Sequence, residues 1–138
     1  MTTIRPQRDQ MIKRAVMQRP EAVIETSIQL WEKLARELIS IIGEGGFHSL
    51  YKRSLHLTGA TFPWMAPDST LPQNSSDFVD LKKCLAGQDA ANAGEASAAL
   101  LIIFIDILAL LIGELLTSSI LRSAWGDDAL DTVVKELP

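Results

Sequence analysis

The chain is poor in cysteine and histidine, with one cysteine (Cys84) and two histidines among 138 residues. A single cysteine excludes an internal disulfide framework, and the low content of both residues excludes a zinc site built from cysteine and histidine ligands. The net charge of −4 argues against a general phosphate-binding surface. We therefore expect no metal, no cofactor and no nucleic-acid partner.

The sequence also lacks the alternating pattern of β-branched residues that is typical of strands. It has helical periodicity instead, most clearly in residues 21–42, which are followed by Gly43, Gly45 and Gly46 where a helix should end. A second helix is expected over residues 47–57. The apolar residues of the first segment recur in steps of four and three: Ile24, Ile28, Trp31, Ala35, Leu38 and Ile42.

The most apolar segment is residues 98–112, AALLIIFIDILALLI, which carries Asp106 near its middle. A membrane span normally needs about 20 apolar residues, whereas shorter runs are more often core helices. We therefore expect a very apolar central helix over about residues 95–125. The fold class that follows is all-α, a single-domain bundle of about five helices over residues 1–138. Residues 1–19 would form a short basic helix or arm, and residues 59–76 a proline-rich loop.

Two segments resemble each other at an offset of 70 residues: LARELISIIGE at residues 34–44 and FIDILALLIGE at residues 104–114. If one residue is deleted after them, the likeness extends from residues 49–54 to residues 118–123. Internal similarity of this kind fits a duplicated helical hairpin about a pseudo-twofold axis. Chance likeness between amphipathic helices is the alternative. The shared positions are Leu38/Leu108, Ile42/Ile112, Gly43/Gly113 and Glu44/Glu114.

A duplication would bring particular charges together in the core. Because a carboxylate in the interior must be neutralised, hydrogen-bonded or paired, we expect Asp106 to have a polar partner. Pseudo-symmetry would place Arg36 opposite Asp106 and pair each half's glutamate with the other half's arginine. The candidates for buried polar pairs are Asp106, Arg36, Arg53, Arg122, Glu44 and Glu114.

His48 is the one weak candidate for a catalytic residue. Its segment, FHSLYKRS at residues 47–54, resembles the active helix of histidine-phosphotransfer domains over about six residues. That family has a lysine three residues after the histidine, whereas here Lys52 follows after four. The resemblance implies a phosphorylated His48 steadied by Lys52. A surface or capping histidine is the alternative.

A small anion site is a separate hypothesis for the same region. Lys52, Arg53 and His56 lie near Gly45 and Gly46, where backbone N–H groups could approach an anion. No phosphate-loop motif accompanies them. The alternative is a helix break with solvated charges.

The loop around Phe62, Trp64 and Met65 combines aromatic and methionine side chains with flanking prolines. Such residues are enriched at protein interfaces, so the three are candidates for an interface loop. The alternative is that they fold back over one end of the bundle, since exposed apolar loops aggregate.

No catalytic constellation stands out, and the sequence by itself does not determine a function. The hypothesis we favour is a small cytoplasmic interaction or regulatory module without catalytic activity. Its partner would be a protein, either a second copy in a homo-oligomer or a different chain, and no membrane would be involved. Two alternatives stay open: a histidine-phosphotransfer-like bundle using His48, and a membrane-associated helical protein in which residues 98–112 enter lipid.

Overall fold

The computed structural model describes residues 4–65 and 77–125. Within these ranges the chain forms five α-helices that pack against each other and no strand, so the all-α prediction is confirmed. Residues 66–76 of the expected proline-rich loop lie outside the described residues, as do residues 1–3. The helices are α1 (Ile4–Met17), α2 (Val23–Gly59), α3 (Asp77–Ala86), α4 (Ala90–Ile112) and α5 (Glu114–Trp125).

Two glycines bend the long helices. Gly43, with φ 81° and ψ 165°, divides α2 into a first arm (residues 23–42) and a second arm (residues 44–59). Gly113, with φ 96° and ψ 156°, separates α4 from α5. This backbone region is essentially reserved for glycine because a Cβ atom would clash there.

The expected continuous helix over residues 95–125 is therefore wrong, since Gly113 divides it. The central helix also begins earlier, at Ala90, because the Asp89 side chain caps it by accepting a hydrogen bond of 2.8 Å from the backbone N–H of Asn92. Residues 90–97 thus belong to α4. Their small side chains suit close helix packing, and Met17 of α1 fills the space that a Cβ on Gly94 would occupy.

The 70-residue offset reappears in the pattern of burial, without the deletion that sequence matching had suggested. Every buried position of the first arm of α2 has a buried counterpart in α4, and so has every buried position of the second arm whose counterpart lies in the described part of α5. The first arm and α4 bury Val23/Ala93, Ser27/Ser97, Trp31/Leu101, Leu34/Phe104, Ala35/Ile105 and Leu38/Leu108. The second arm and α5 bury Phe47/Thr117, Leu50/Ile120, Tyr51/Leu121 and Ser54/Ala124.

Each half of the chain also packs against the other half. The short helix that begins one half lies on the long helix of the other: α1 packs on α4, and α3 packs on α2. At the centre Ser97 Oγ donates a hydrogen bond of 2.6 Å to Ser27 Oγ. Contact between equivalent positions is what a pseudo-twofold axis produces. We call α1 with α2 the first repeat, and α3 with α4 and α5 the second repeat.

An aromatic cluster fills the core beside this axis. Trp31 is fully buried, with its ring centroid 5.1 Å from that of Tyr51 and 5.0 Å from that of Phe104, both nearly edge to face. Phe47 stacks on Tyr51, and Phe78 of α3 closes the cluster. Edge-to-face geometry suits the quadrupoles of aromatic rings and strengthens packing beyond burial alone. The cluster therefore joins α2, α3 and α4.

Candidate interaction surface

Four leucines close to Gly113, two before it and two after it, are exposed in the described part of the chain. Leu110 and Leu111 in the last turn of α4 are 87% and 68% exposed, and Leu115 and Leu116 in the first turn of α5 are 85% and 45% exposed. We call these four residues the leucine corner. Gly113 separates α4 from α5 here, so the four leucines lie on the last turn of one helix and the first turn of the next.

The apolar surface continues from the leucine corner along one side of α4. Residues spaced three and four apart lie on the same side of a helix. On this side Asp106 is the one charged residue, and all positions before Leu110 are half-buried. We call this surface the outer face of α4; it consists of Ala99, Ile102, Ile103, Asp106, Ile107 and Leu110.

In the first repeat, the positions equivalent to the outer face of α4 are all polar or charged, whereas those equivalent to the leucine corner are a serine, an isoleucine and two glycines. Those of the leucine corner correspond to Ser40, Ile41, Gly45 and Gly46, and those of the outer face of α4 to Gln29, Glu32, Lys33, Arg36, Glu37 and Ser40. All of these except Glu37 and Gly46 are exposed. These positions of the first repeat carry mostly exposed, polar side chains, whereas on α4 Ile102 and Ile107 also pack against the hydrophobic core.

α4 is also the one helix of the described part of the chain that is long and apolar enough to cross a membrane by length and composition. Its most apolar 18-residue window has a mean hydropathy of 2.4, and half of that window is buried inside the protein. Core helices of soluble proteins meet the same criterion, so this property by itself selects no environment.

The candidates around His48 lie on the exposed side of the second arm of α2. His48 and Lys52, one turn apart, line an open cavity of about 420 Å³ together with Glu44, Gly45 and Ser49. Arg53 and His56 are exposed but do not line it. The structure thus brings His48 to Lys52 and does not gather all three cations of the expected anion site into one cavity.

The expected interface loop lies against the core. Met65 is 2% exposed, and Phe62 and Trp64 are half-buried with ring centroids 6.0 Å apart. All three belong to or pack against the main hydrophobic cluster. This placement corresponds to the alternative in which the aromatic residues fold back over the bundle.

The six residues expected to form buried polar pairs lie outside the fully buried core. Asp106 and Glu114 are half-buried, and the other four candidates (Arg36, Arg53, Arg122 and Glu44) are exposed. The buried polar residues of the described chain are serines and threonines. Besides the Ser27–Ser97 pair, Ser54, Thr58 and Thr117 each donate a hydrogen bond to the carbonyl oxygen four residues earlier.

Among the described residues, no cluster of three or more histidine, cysteine, aspartate or glutamate side chains could hold a metal ion. Comparisons with protein-family models, curated proteins and solved structures found no match to this chain.

Sequence reasoning missed the leucine corner because it assigned residues 98–112 to the buried centre. A helix that is apolar all round has more apolar surface than a small bundle can cover. The signal was available in the 70-residue alignment, where Leu115 and Leu116 stand opposite Gly45 and Gly46. When equivalent positions differ in this way, the apolar side chains indicate a surface that is specific to one repeat.

Proposed function

We propose that the protein is a non-catalytic interaction module that binds another polypeptide through the leucine corner and the outer face of α4. The observation that carries this proposal is the exposure of the four leucines at the corner, beside an outer face of α4 that is apolar except for Asp106 where the first repeat is polar or charged. Burying an exposed leucine contributes about 1.5–3 kcal/mol. Burying the exposed leucines against a partner would therefore contribute to the free energy of binding.

The shape of the surface supports a helical or grooved partner. The outer face of α4 has the three- and four-residue spacing by which helices dock into one another or into apolar grooves. The leucine corner is its most exposed part, and the strongest contacts of an interface cluster where side chains become fully desolvated. We expect the leucine corner to form the centre of the contact and Asp106 to lie toward its edge.

Photo-crosslinking in cells that produce the full chain tests this proposal. A photoreactive amino acid replaces Leu110 in one variant and Ile41 in another; Ile41 is 51% exposed and equivalent to Leu111 in the first repeat. We expect a discrete protein adduct from position 110 and none from position 41. The proposal is wrong if position 110 gives no adduct, or if both positions give the same adducts.

A phosphorelay role for His48 is the second candidate. The observation in its favour is the exposed imidazole that shares an open cavity with Lys52. A lysine one turn away could form a charge-assisted hydrogen bond to a phosphoryl group on the histidine. Unlike the interaction module, this role requires a covalent modification of one named side chain.

Incubation with a small phosphoryl donor, acetyl phosphate, tests the second candidate. The donor's phosphoryl–oxygen bond breaks, a bond to an imidazole nitrogen forms, and acetate leaves. We expect labelling that is lost in His48→Ala and retained in the matched variant His56→Ala. Absence of labelling, or equal labelling of both variants, would count against the role.

A further inference from the structure

We propose that Met17 is a site of reversible oxidation, at which hydrogen peroxide converts the thioether to a sulfoxide and loosens α1 from α4. The site lies where the last residue of α1 meets the beginning of α4, at the opposite end of α4 from the leucine corner. It is therefore independent of the proposed function. Two observations carry it, the contact of Met17 with Gly94 and its exposure to water.

The Met17 thioether lies directly on the backbone of α4. Its sulfur takes the place that a Cβ on Gly94 would occupy, and the adjoining Cε and Cγ atoms lie 3.2 Å and 3.5 Å from that place. Gly94 is itself buried, as are Ala93 and Ser97. Because glycine has no side chain, the sulfur reaches a surface that any other residue at this position would cover. Met17 is thus part of the contact between the two helices.

Met17 is also the accessible methionine among the three that the structure describes. It is 37% exposed, whereas Met11 and Met65 are 3% and 2% exposed. An oxidant in solution reaches a thioether where the side chain meets water, and oxidation then changes an apolar side chain into a polar one. A buried methionine is shielded from the oxidant, and a methionine without packing contacts would be oxidised without structural effect. Met17 combines access with a packing contact.

The reaction is a two-electron transfer of one oxygen atom. A lone pair of the sulfur attacks one oxygen of hydrogen peroxide, and an S–O bond forms as the O–O bond breaks. The departing hydroxide takes the proton from the new S–OH group and leaves as water. The sulfur is oxidised and the peroxide is reduced. Methionine sulfoxide reductases return the sulfoxide to the thioether, so the modification is reversible.

The sulfoxide weakens the contact with α4 in either position that it can take. If its oxygen stays against Gly94, a polar acceptor is buried at a helix whose N–H groups are already engaged, as that of Ala93 is by the carbonyl oxygen of Asp89 at 2.9 Å. If the sulfur turns toward water instead, Gly94 loses the atoms that cover it. Both outcomes loosen the end of α1.

The other half of the fold has no equivalent site. The positions 70 residues from Met17 and Gly94 are Gly87 and Ile24, and neither carries a sulfur atom. Oxidation of Met17 should therefore loosen α1 from α4 and leave the packing of α3 on α2 unchanged.

Peptide mass spectrometry of the full chain treated with hydrogen peroxide tests the selectivity. We expect Met17 to be oxidised at least about tenfold faster than Met11 and Met65 in the folded protein, because its side chain is the accessible one. In urea, where the chain is unfolded, the three rates should be similar. Gly94→Ala adds the Cβ whose place the sulfur takes, so Met17 of this variant should be oxidised faster than in the wild type.

Hydrogen exchange measures the structural effect. After oxidation, the backbone amides of α1 should exchange at least about tenfold faster, because a packing contact has become polar, while those of α3 keep their rates. Methionine sulfoxide reductases should restore slow exchange. Met17→Leu is the matched control, since leucine has a similar volume and cannot be oxidised. The control keeps Cys84, so any effect of thiol oxidation appears in both proteins.

Three outcomes would overturn the proposal. The first is oxidation of Met17 at the rate of Met11 and Met65 in the folded protein. The second is exchange of α1 that peroxide leaves unchanged, or changes equally in the wild type and in Met17→Leu. The third is a Gly94→Ala variant in which Met17 is oxidised no faster than in the wild type.

Discussion

Ser27 and Ser97 form a hydrogen bond of 2.6 Å between their hydroxyls, although 70 residues separate them in the chain. The two residues occupy the same position in the two repeats, which is the contact that a pseudo-twofold arrangement would produce. Both side chains are fully buried. Because serine is small, α2 and α4 can approach closely at this point, and the hydroxyl pair satisfies polar groups that apolar neighbours could not.

The first prediction concerns this pair. Ser27→Ala or Ser97→Ala leaves one buried hydroxyl without its partner, and we expect each to lower the free energy of unfolding by about 1 kcal/mol. The double alanine variant removes both polar groups and should be nearly as stable as the wild type. Urea unfolding of all four proteins gives the coupling free energy. Additive losses would show that the two hydroxyls act independently.

Regular periodicity made part of the fold predictable. The four-and-three spacing around Trp31 predicted the first arm of α2, and the helix expected over residues 47–57 corresponds to the second arm. The break at Gly113 was not predicted because leucine and isoleucine precede it and two more leucines follow Glu114. Apolar residues therefore occur on all sides of the helix, and the periodicity does not mark where the helix ends. Glycine within such a run is compatible with a helix or a turn, and tertiary packing makes the choice.

The candidate site was less predictable than the fold. An apolar residue in the sequence predicts burial but does not identify the surface that buries it. The exposed Leu110 therefore could not be distinguished from the buried Leu108 by sequence. Asp106 suggested a buried pair because its helix was expected to be covered on all sides. The contrast between Leu115 and its counterpart Gly45 becomes informative once the burial pattern has established the register of the two repeats.

The second prediction concerns the glycine bends. Gly43 and Gly113 adopt backbone angles in which a Cβ atom is strained, so Gly43→Ala and Gly113→Ala should each lower the free energy of unfolding by about 1–3 kcal/mol. No heavy atom lies within 4 Å of the position that a Cβ would take at either glycine. The loss would therefore come from the backbone and not from a clash with neighbours.

Gly45→Ala is the matched control for the bends. Gly45 also has open space around it but does not have a positive φ. Alanine in a helix is favoured over glycine by about 0.5–1 kcal/mol, so this variant should be as stable as the wild type or slightly more stable in urea. Equal destabilisation by all three substitutions would mean that the two bends have no special backbone requirement.

The third prediction concerns Trp31. Its indole Nε1 is buried and has no hydrogen-bond partner among the described residues. Trp31→Phe removes this unsatisfied donor and keeps most of the ring contacts, so the lost volume is partly offset and we expect a loss below about 2 kcal/mol. Trp31→Ala opens a cavity between Tyr51 and Phe104 and should cost about 3–5 kcal/mol. Thermal unfolding at matched pH measures both variants. Similar losses for the two would indicate that the N–H contributes to stability.

The last prediction separates the leucine corner from the aromatic loop as the contact surface. Met65 is buried in the core cluster, so Met65→Ala should lower the free energy of unfolding by about 2–5 kcal/mol. Trp64→Ala should also destabilise, by less, because Trp64 is half-buried. Neither substitution alters the leucine corner. At temperatures where the variants remain folded, we therefore expect a photoreactive residue at position 110 to give the same protein adduct as in the otherwise wild-type chain. Loss of that adduct in folded Trp64→Ala would instead place the loop in the contact surface.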